Sequence, residues 1–274
     1  MPFSEAWFDA LLALVFEAGD AIQAVAEGGQ LAVEEKADAS PVTAADHAAE
    51  AILSAGLRRL TPTWPQRSEE QTPPAPALRA QWSRFWLIDP LDGTKEFLAG
   101  NGEYTVNVAL IEEGRPVLGL VGVPGQGLIY LGWVPEGRAE RISRHGERLP
   151  LRTRPCATPP VVVASRRHRG EALESLLQAL GEAAPGLQTR AVGSALKLVV
   201  LAAGEADAYP RRGPCSEWDI AAGALLITEA GGLVGDLTGG HKHLQQGAVV
   251  AGNPKVFKGL LQTIAPHVPA DLKG

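Results

Sequence analysis

The run Trp86-Leu87-Ile88-Asp89-Pro90-Leu91-Asp92-Gly93-Thr94-Lys95-Glu96-Phe97 sets two carboxylates three residues apart at the end of an apolar stretch. In an unbroken strand, residues three apart point to opposite faces. Pro90 is therefore expected to end the strand and turn the chain, letting Asp89 and Asp92 converge on one point. Unpaired carboxylates are costly to remove from water, and Lys95 is the only cation that follows before Arg115. Oxygen donors without Cys or His partners suit a hard divalent ion, Mg²⁺ or Mn²⁺, rather than zinc. The same letters also make a good turn, so for this segment alone a metal and a solvated turn are both open.

Other segments carry acids with similarly double readings. Ser68-Glu69-Glu70 falls in a polar loop, where acidic pairs are common. Asp219, after Trp218, precedes a run of small apolar residues and reads by itself as a helix N-cap. Thr94, after Gly93, could be another cap. Asp46 completes Thr43-x-x-Asp46, the pattern of a capping box. Arg166, Arg167, His168 and Arg169 form a basic cluster that suits either a phosphate or a solvated turn. His241 and His243 have ligand-like spacing, but Gly-Gly-His-Lys-His-Leu-Gln-Gln-Gly reads as an exposed turn.

The elements that must position these residues change in kind along the chain. Trp7, Leu11, Leu14, Ala18, Ile22 and Val25 recur at helical spacing, so about 4–27 reads as an amphipathic helix stopped by Gly28-Gly29. A second helix opens at the Thr43 box and runs to about Leu60. Residues 61–82 are rich in proline and polar residues and read as loop. From Trp86 to about 150 the runs are β-rich, two of them joined by the turn Glu112-Glu113-Gly114-Arg115. After Pro159-Pro160 strands and helices alternate. The chain thus reads as an α+β lobe over 1–150, holding most of the acids, and an α/β lobe over 151–274 that completes the site.

Composition bounds the function. With 274 residues, of which 45% are hydrophobic, the chain can bury a sizeable core. Its 25 Lys and Arg against 31 Asp and Glu give a net charge of -6, which argues against a nucleic-acid polymer as partner. A phosphorylated small molecule remains compatible if something cationic lines its site. Cys156 and Cys215 stand in unlike contexts, so neither a disulfide framework nor a zinc site is expected. The N-terminal apolar stretch has no Lys or Arg before it and is interrupted by Glu5, Asp9, Glu17 and Asp20. It is neither a signal peptide nor a membrane span, and a cytoplasmic protein is expected.

The acids find one shared explanation in a resemblance. "WLIDPLDGTKEF" together with "SEWDIAAGALLITEAGG" resembles the signature pair of the inositol monophosphatase superfamily, lithium-sensitive and magnesium-dependent phosphatases. "KADASPVTAAD", "SEE", "DPLDGTKEF", "GEYTVNVALI", "ASRRH", "GSALK" and "YPRRGPCSEWD" follow in family order from Lys36 to Gly232. They are closest to the 3'(2'),5'-bisphosphate nucleotidase branch of the CysQ type. The resemblance implies an αβαβα layered sandwich of two lobes, with metals between the lobes. It implies that Glu69 and Asp89 share two Mg²⁺ ions, with the Leu91 carbonyl on the first and Asp92 and Asp219 on the second. Glu70 matches a position near a third, weaker ion, whose presence the acid-poor segment after it puts in question. Thr94 and Asp46 match a dyad that orients the attacking water, and the backbone of Gly93-Thr94 matches the phosphate-binding turn. Substrate contacts are implied for Ser165, Gly193, Ser194 and Lys197, with Lys95, Arg211 and Glu217 as further candidates. The implied reaction removes the 3'-phosphate of adenosine 3',5'-bisphosphate by direct attack of metal-activated water, giving AMP in the service of sulfate assimilation. The superfamily holds monomers and dimers, so a homodimer is one expected state. Peripheral association with the inner face of the plasma membrane is a further option, for which the chain offers no basic amphipathic helix.

Three rivals are set against this. An inositol-1-phosphate or fructose-1,6-bisphosphate phosphatase would use the same metal site. A haloacid-dehalogenase-type phosphatase also begins with a strand and an aspartate motif, but its two aspartates stand two apart, and only Gly235-Asp236 approximates its second acidic motif. A non-catalytic, metal-stabilised scaffold is disfavoured by the complete set of Glu69, Asp89, Asp92, Thr94, Asp46 and Asp219.

Overall fold

The computed structural model describes residues 3–29, 33–35, 41–167, 171–213 and 215–268. Helix α1 (Glu5–Glu27) is capped by Ser4, whose side chain accepts from Trp7 N. Strands β1 (Val33–Glu35) and β2 (Pro41–Thr43) form a small hairpin and lead into α2 (Ala44–Leu60). There the expected capping box is present, with Thr43 as N-cap and Asp46 accepting from its backbone N–H.

Seven strands then build an antiparallel meander with one parallel edge: β3 (Gln66–Ser68), β4 (Arg84–Asp92), β5 (Thr105–Glu112), β6 (Arg115–Val123), β7 (Leu128–Trp133), β8 (Arg138–Ser143) and β9 (Arg148–Pro150). β3 pairs parallel with β4 and forms the sheet's edge. It lies in the segment expected to be loop. Its three residues carry no apolar alternation and borrow their order from β4. Between β3 and β5 lie the short helices α3 (Pro76–Arg79) and α4 (Thr94–Leu98).

The second half supplies β10 (Val161–Ser165), α5 (Glu171–Ala183), β11 (Gln188–Val192), α6 (Leu196–Ala202), β12 (Ala208–Arg211), α7 (Glu217–Glu229), β13 (Leu233–Gly235), α8 (His243–Gln246), β14 (Val249–Gly252) and α9 (Pro254–Ile264). Its sheet runs β11-β10-β12-β14-β13 and is mixed, with β10 parallel to β11 and β12 and β14 antiparallel to both neighbours.

Burial shows the layers. Trp86, Ile88, Val108 and Leu110 pack with Leu11, Ile22, Leu53 and Leu57 of α1 and α2 on one face of the large sheet. The alternate residues Phe85, Leu87, Ala109 and Ile111 pack with α6 and α7 on the other, and that core continues to Val163, Tyr209 and Val249 of the second sheet. Val162, Ala208 and Val250 face Leu176, Leu180, Leu260 and Ile264 of α5 and α9. The order helices, sheet, helices, sheet, helices is the αβαβα sandwich. Helix α7 comes so close to the large sheet that a Cβ on Gly119 would stand 2.8 Å from the Ala222 carbonyl oxygen. Among the described residues, no helix is long and apolar enough to cross a membrane.

Candidate active site

The acidic run does not turn at Pro90. Strand β4 continues to Asp92, and the register against β5 moves from Asp89 opposite Asn107 to Asp92 opposite Thr105. Three steps on β4 therefore match two on β5, a bulge that tolerates the proline and re-aims the side chains beyond it. The bulge does what the turn was expected to do. Asp89 and Asp92 both line one cleft of about 310 Å³, together with Glu69, Leu91 and Asp219.

Each acid is delivered by a different local device. The Glu69 N–H donates to Ile88 O (3.1 Å), so the edge pairing of β3 carries Glu69 to the end of β4. Asp219 is not the N-cap of its helix. Ser216 is the cap, and Asp219 is the third residue of a capping box whose Oδ2 accepts from Ser216 N at 3.2 Å. Thr94 is likewise not a cap. Gly93 holds that position with φ +92°, in the left-handed region that favours glycine, and a Cβ there would meet Ser194 Cβ at 3.1 Å.

Asp46 performs two tasks with two oxygens. Oδ2 accepts from Thr43 N and Thr43 Oγ1, both at 2.7 Å. Oδ1 accepts from Thr94 Oγ1 at 3.3 Å, and Leu91 O lies 3.5 Å from the same hydroxyl. One residue thus closes the capping box and meets Thr94, the contact on which the expected dyad depends.

The electrostatics match a gathering of like charges. Asp89 is buried and its Oδ2 finds no hydrogen-bond donor. Burial, followed by the charges of Glu69, Asp92 and Asp219, raises its carboxyl well above the usual range. Asp219 is pushed up to about 7 by burial and by Asp92. Asp92 is raised by burial, against the pull of Lys197 and Arg211. Its Oδ2 accepts from Ala195 N at 2.5 Å. Lys197 is buried, which brings its ammonium down to about 8, and its Nζ donates to Ser194 O.

An orphaned carboxylate oxygen among acids with oxygen donors alone fits a hard divalent cation. Among the described residues, no three Asp, Glu, His or Cys side chains already stand in a metal-holding arrangement.

The cleft also carries cations. Lys95, Arg167, Lys197 and Arg211 line it, with Gly93, Thr94, Ser165, Gly193 and Ser194 between. Arg167 donates to Glu96 Oε1 (2.8 Å) and to Lys95 O (3.0 Å). Arg166 is turned aside to Glu103 (2.6 and 2.9 Å). His168 and Arg169 lie outside the described residues.

Two expected site residues are placed elsewhere. Glu217 does not line the cleft, because its carboxylate is held by Arg67 at 2.7 Å and Arg79 at 3.6 Å. Glu70 does not line it either, since the chain has turned beyond Glu69. His243, expected in an exposed turn, is half-buried in α8. Asp236 is spent on a turn, accepting from Thr238 N and Oγ1, Gly240 N and Lys242 N, which leaves the haloacid-dehalogenase reading without its second acid. Sequence reasoning passed over Tyr209 and Cys215, which also line the cleft. Burial pushes the Cys215 thiol up to about 12, so it is no nucleophile.

The model of the Inositol monophosphatase family matches residues 4–269. The chain belongs to the inositol monophosphatase family. Among its relatives, the 3'(2'),5'-bisphosphate nucleotidase CysQ of Salmonella typhimurium is 48% identical over 227 residues, 82% of this chain and 89% of that protein. The Nus factor SuhB of Pseudomonas aeruginosa is 36% identical over 249 residues, 89% of each. In the same family, the crystal structure of CysQ from Bacteroides thetaiotaomicron has a TM-score of 0.76 at 30% identity, covering 89% of this chain and 97% of that one.

Proposed function

We propose that this chain is a divalent-cation-dependent phosphatase that removes the 3'-phosphate of adenosine 3',5'-bisphosphate, releasing AMP and inorganic phosphate. The observation that carries the reading is the 48% identity to a bisphosphate nucleotidase over 82% of the chain. The cleft supports it. Lys95, Arg167, Lys197 and Arg211 line the same cleft as the acids, and a substrate with a second phosphate would bring them more negative charge than a monophosphate.

In this reading Glu69, Asp89, Asp92, Asp219 and the Leu91 carbonyl hold two Mg²⁺ ions, and Glu70 stands apart from them. Ions bound there would lower the pKa of a water and neutralise the phosphate oxygens. Thr94 Oγ1 donates a hydrogen bond to Asp46, so its lone pairs are left to accept from a water and aim it. Asp46 cannot swing away, because Thr43 holds its other oxygen. Gly93 lets the backbone approach the phosphate where a side chain would block it. The attack is direct, without a phosphoenzyme.

The test is phosphate release at saturating Mg²⁺ from adenosine 3',5'-bisphosphate, fructose-1,6-bisphosphate and inositol-1-phosphate, compared by kcat/KM. The bisphosphonucleotide should lead by at least about tenfold. A lead for either sugar phosphate would move the chain to another branch of its family.

A further inference from the structure

The acids of the cleft come from two elements with little in common. Glu69 follows β3, a three-residue strand at the sheet edge that pairs only with β4. Asp219 lies in the first turn of α7, 150 positions further along. Before a cation arrives, Glu69, Asp89, Asp92 and Asp219 are like charges lining one cleft and repel one another. A short edge strand and a helix terminus are the parts that repulsion would move first.

Directly behind these acids the signs are reversed. Arg67, two residues before Glu69, donates through Nε to Glu217 Oε1 at 2.7 Å, and Glu217 is two residues before Asp219. The Arg67 guanidinium also lies over the Trp218 ring, 5.0 Å from its centroid. Arg79 reaches the other Glu217 oxygen at 3.6 Å. The Arg67 and Glu217 side chains are only 22% and 24% exposed, so solvent and salt screen the pair less than a surface bridge. On its far side the Glu69 segment is held by α2. Glu50 accepts from Ser68 Oγ at 2.5 Å and Gln71 Nε2 at 2.6 Å. The fold needs neither contact to cap a helix or close a sheet.

We propose that Arg67 and Glu217 form a clasp across the back of the cleft, a pair of positioning residues that fix the separation of Glu69 and Asp219 and so set the protein's affinity for the divalent cation. The inference rests on the acidic cleft being the cation site. Repulsion that would otherwise be overcome at each binding event is opposed in advance by an attraction two residues away, the general logic of preorganisation.

The test uses substrate-free full-length protein, titrated with Mg²⁺ while the melting temperature is followed, for wild type, Arg67→Gln, Glu217→Gln and the double variant. Binding to the folded state alone stabilises it by RT ln(1 + [Mg²⁺]/Kd), so the rise in melting temperature with Mg²⁺ yields the midpoint for binding to the folded protein, which is Kd. Each single variant should shift the Mg²⁺ midpoint upward by about three- to tenfold, the size expected of a half-buried ion pair. The double variant should be no worse than the poorer single one, because both remove the same interaction. Turnover by Arg67→Gln at saturating Mg²⁺ should stay within about twofold of wild type, the loss appearing in cation demand instead. A midpoint equal to wild type in the single variants overturns the clasp, even if the cation-free melting temperature falls, since that would make the pair a stability contact only. So does a double variant whose shift is the product of the two single shifts. Wild-type protein that shows no Mg²⁺ response overturns the cation reading itself, a result separable from the other two.

Discussion

At the scale of single residues, the side chains proposed for the chemistry also carry structural duties. Asp46 closes the capping box of α2 with one oxygen and receives Thr94 with the other. Asp219 closes the box of α7 and faces the cleft. This is why each of them has a sufficient ordinary explanation in the sequence, and why the ordinary explanation alone is incomplete. The Thr94 hydroxyl allows a sharp prediction. Thr94→Val keeps the shape but removes the hydroxyl proposed to aim the water, and kcat should fall by about 10²- to 10⁴-fold. Thr94→Ser retains the hydroxyl and should stay within about tenfold of wild type. Steady-state phosphate release from both variants checks the pair, and equal losses in the two would remove the hydroxyl from the mechanism.

At the scale of elements, the sequence displayed whatever repeats or caps itself. The amphipathic period of α1, the Thr43-x-x-Asp46 start of α2 and the β-rich runs of the meander were all legible. So was the hairpin at Glu112-Glu113-Gly114-Arg115, where Glu112 pairs with Arg115. Elements that depend on a neighbour were not legible. Strand β3 exists through β4, and the bulge at Pro90 exists through the register with β5, so neither leaves a periodic trace. The hairpin carries its own prediction. Glu113 sits at φ +47°, before Gly114 at +75°, and a residue with a Cβ pays for that conformation unless it is Asn or Asp. Glu113→Asn should raise stability to urea by about 0.5–1 kcal/mol. A lowered urea midpoint would show that the exposed glutamate stabilises the turn in another way.

At the scale of the whole molecule, the cleft draws its lining from both sheets, and the connection between the two sheets is tied to the second by the buried Asp207. Asp207 accepts from Arg154 Nε and Nη2 (3.0 and 2.8 Å), Ala157 N (3.0 Å) and Val161 N (2.7 Å). Burial acts to raise its carboxyl, but the hydrogen bonds from Arg154, Val161 and Ala157 outweigh it and hold the group below the usual range. Asp236 is lowered by its turn in the same way. A folded-state value below the unfolded one contributes stability that is complete above about pH 4 and is lost as pH falls through the lower value. Urea midpoints should therefore fall as pH drops below about 4. Asp207→Asn should cost about 2–3 kcal/mol at pH 7 and weaken that acid dependence. An unchanged midpoint at pH 7 would show that the tie is dispensable.

The cleft was legible in the sequence because its acids lie in short runs that retain their order. The cationic wall was less so. Arg167 and Arg211 reach the cleft, whereas Arg166, chemically equal in the sequence, is turned to Glu103, and the expected contact Glu217 is held by Arg67. The measurement that bears most directly on the whole account is phosphate release from adenosine 3',5'-bisphosphate at saturating Mg²⁺ by wild type and Asp92→Asn. Turnover by the wild type and a loss of at least about 10³-fold in the variant are expected. An Asp92→Asn protein that keeps the wild-type rate would contradict that expectation.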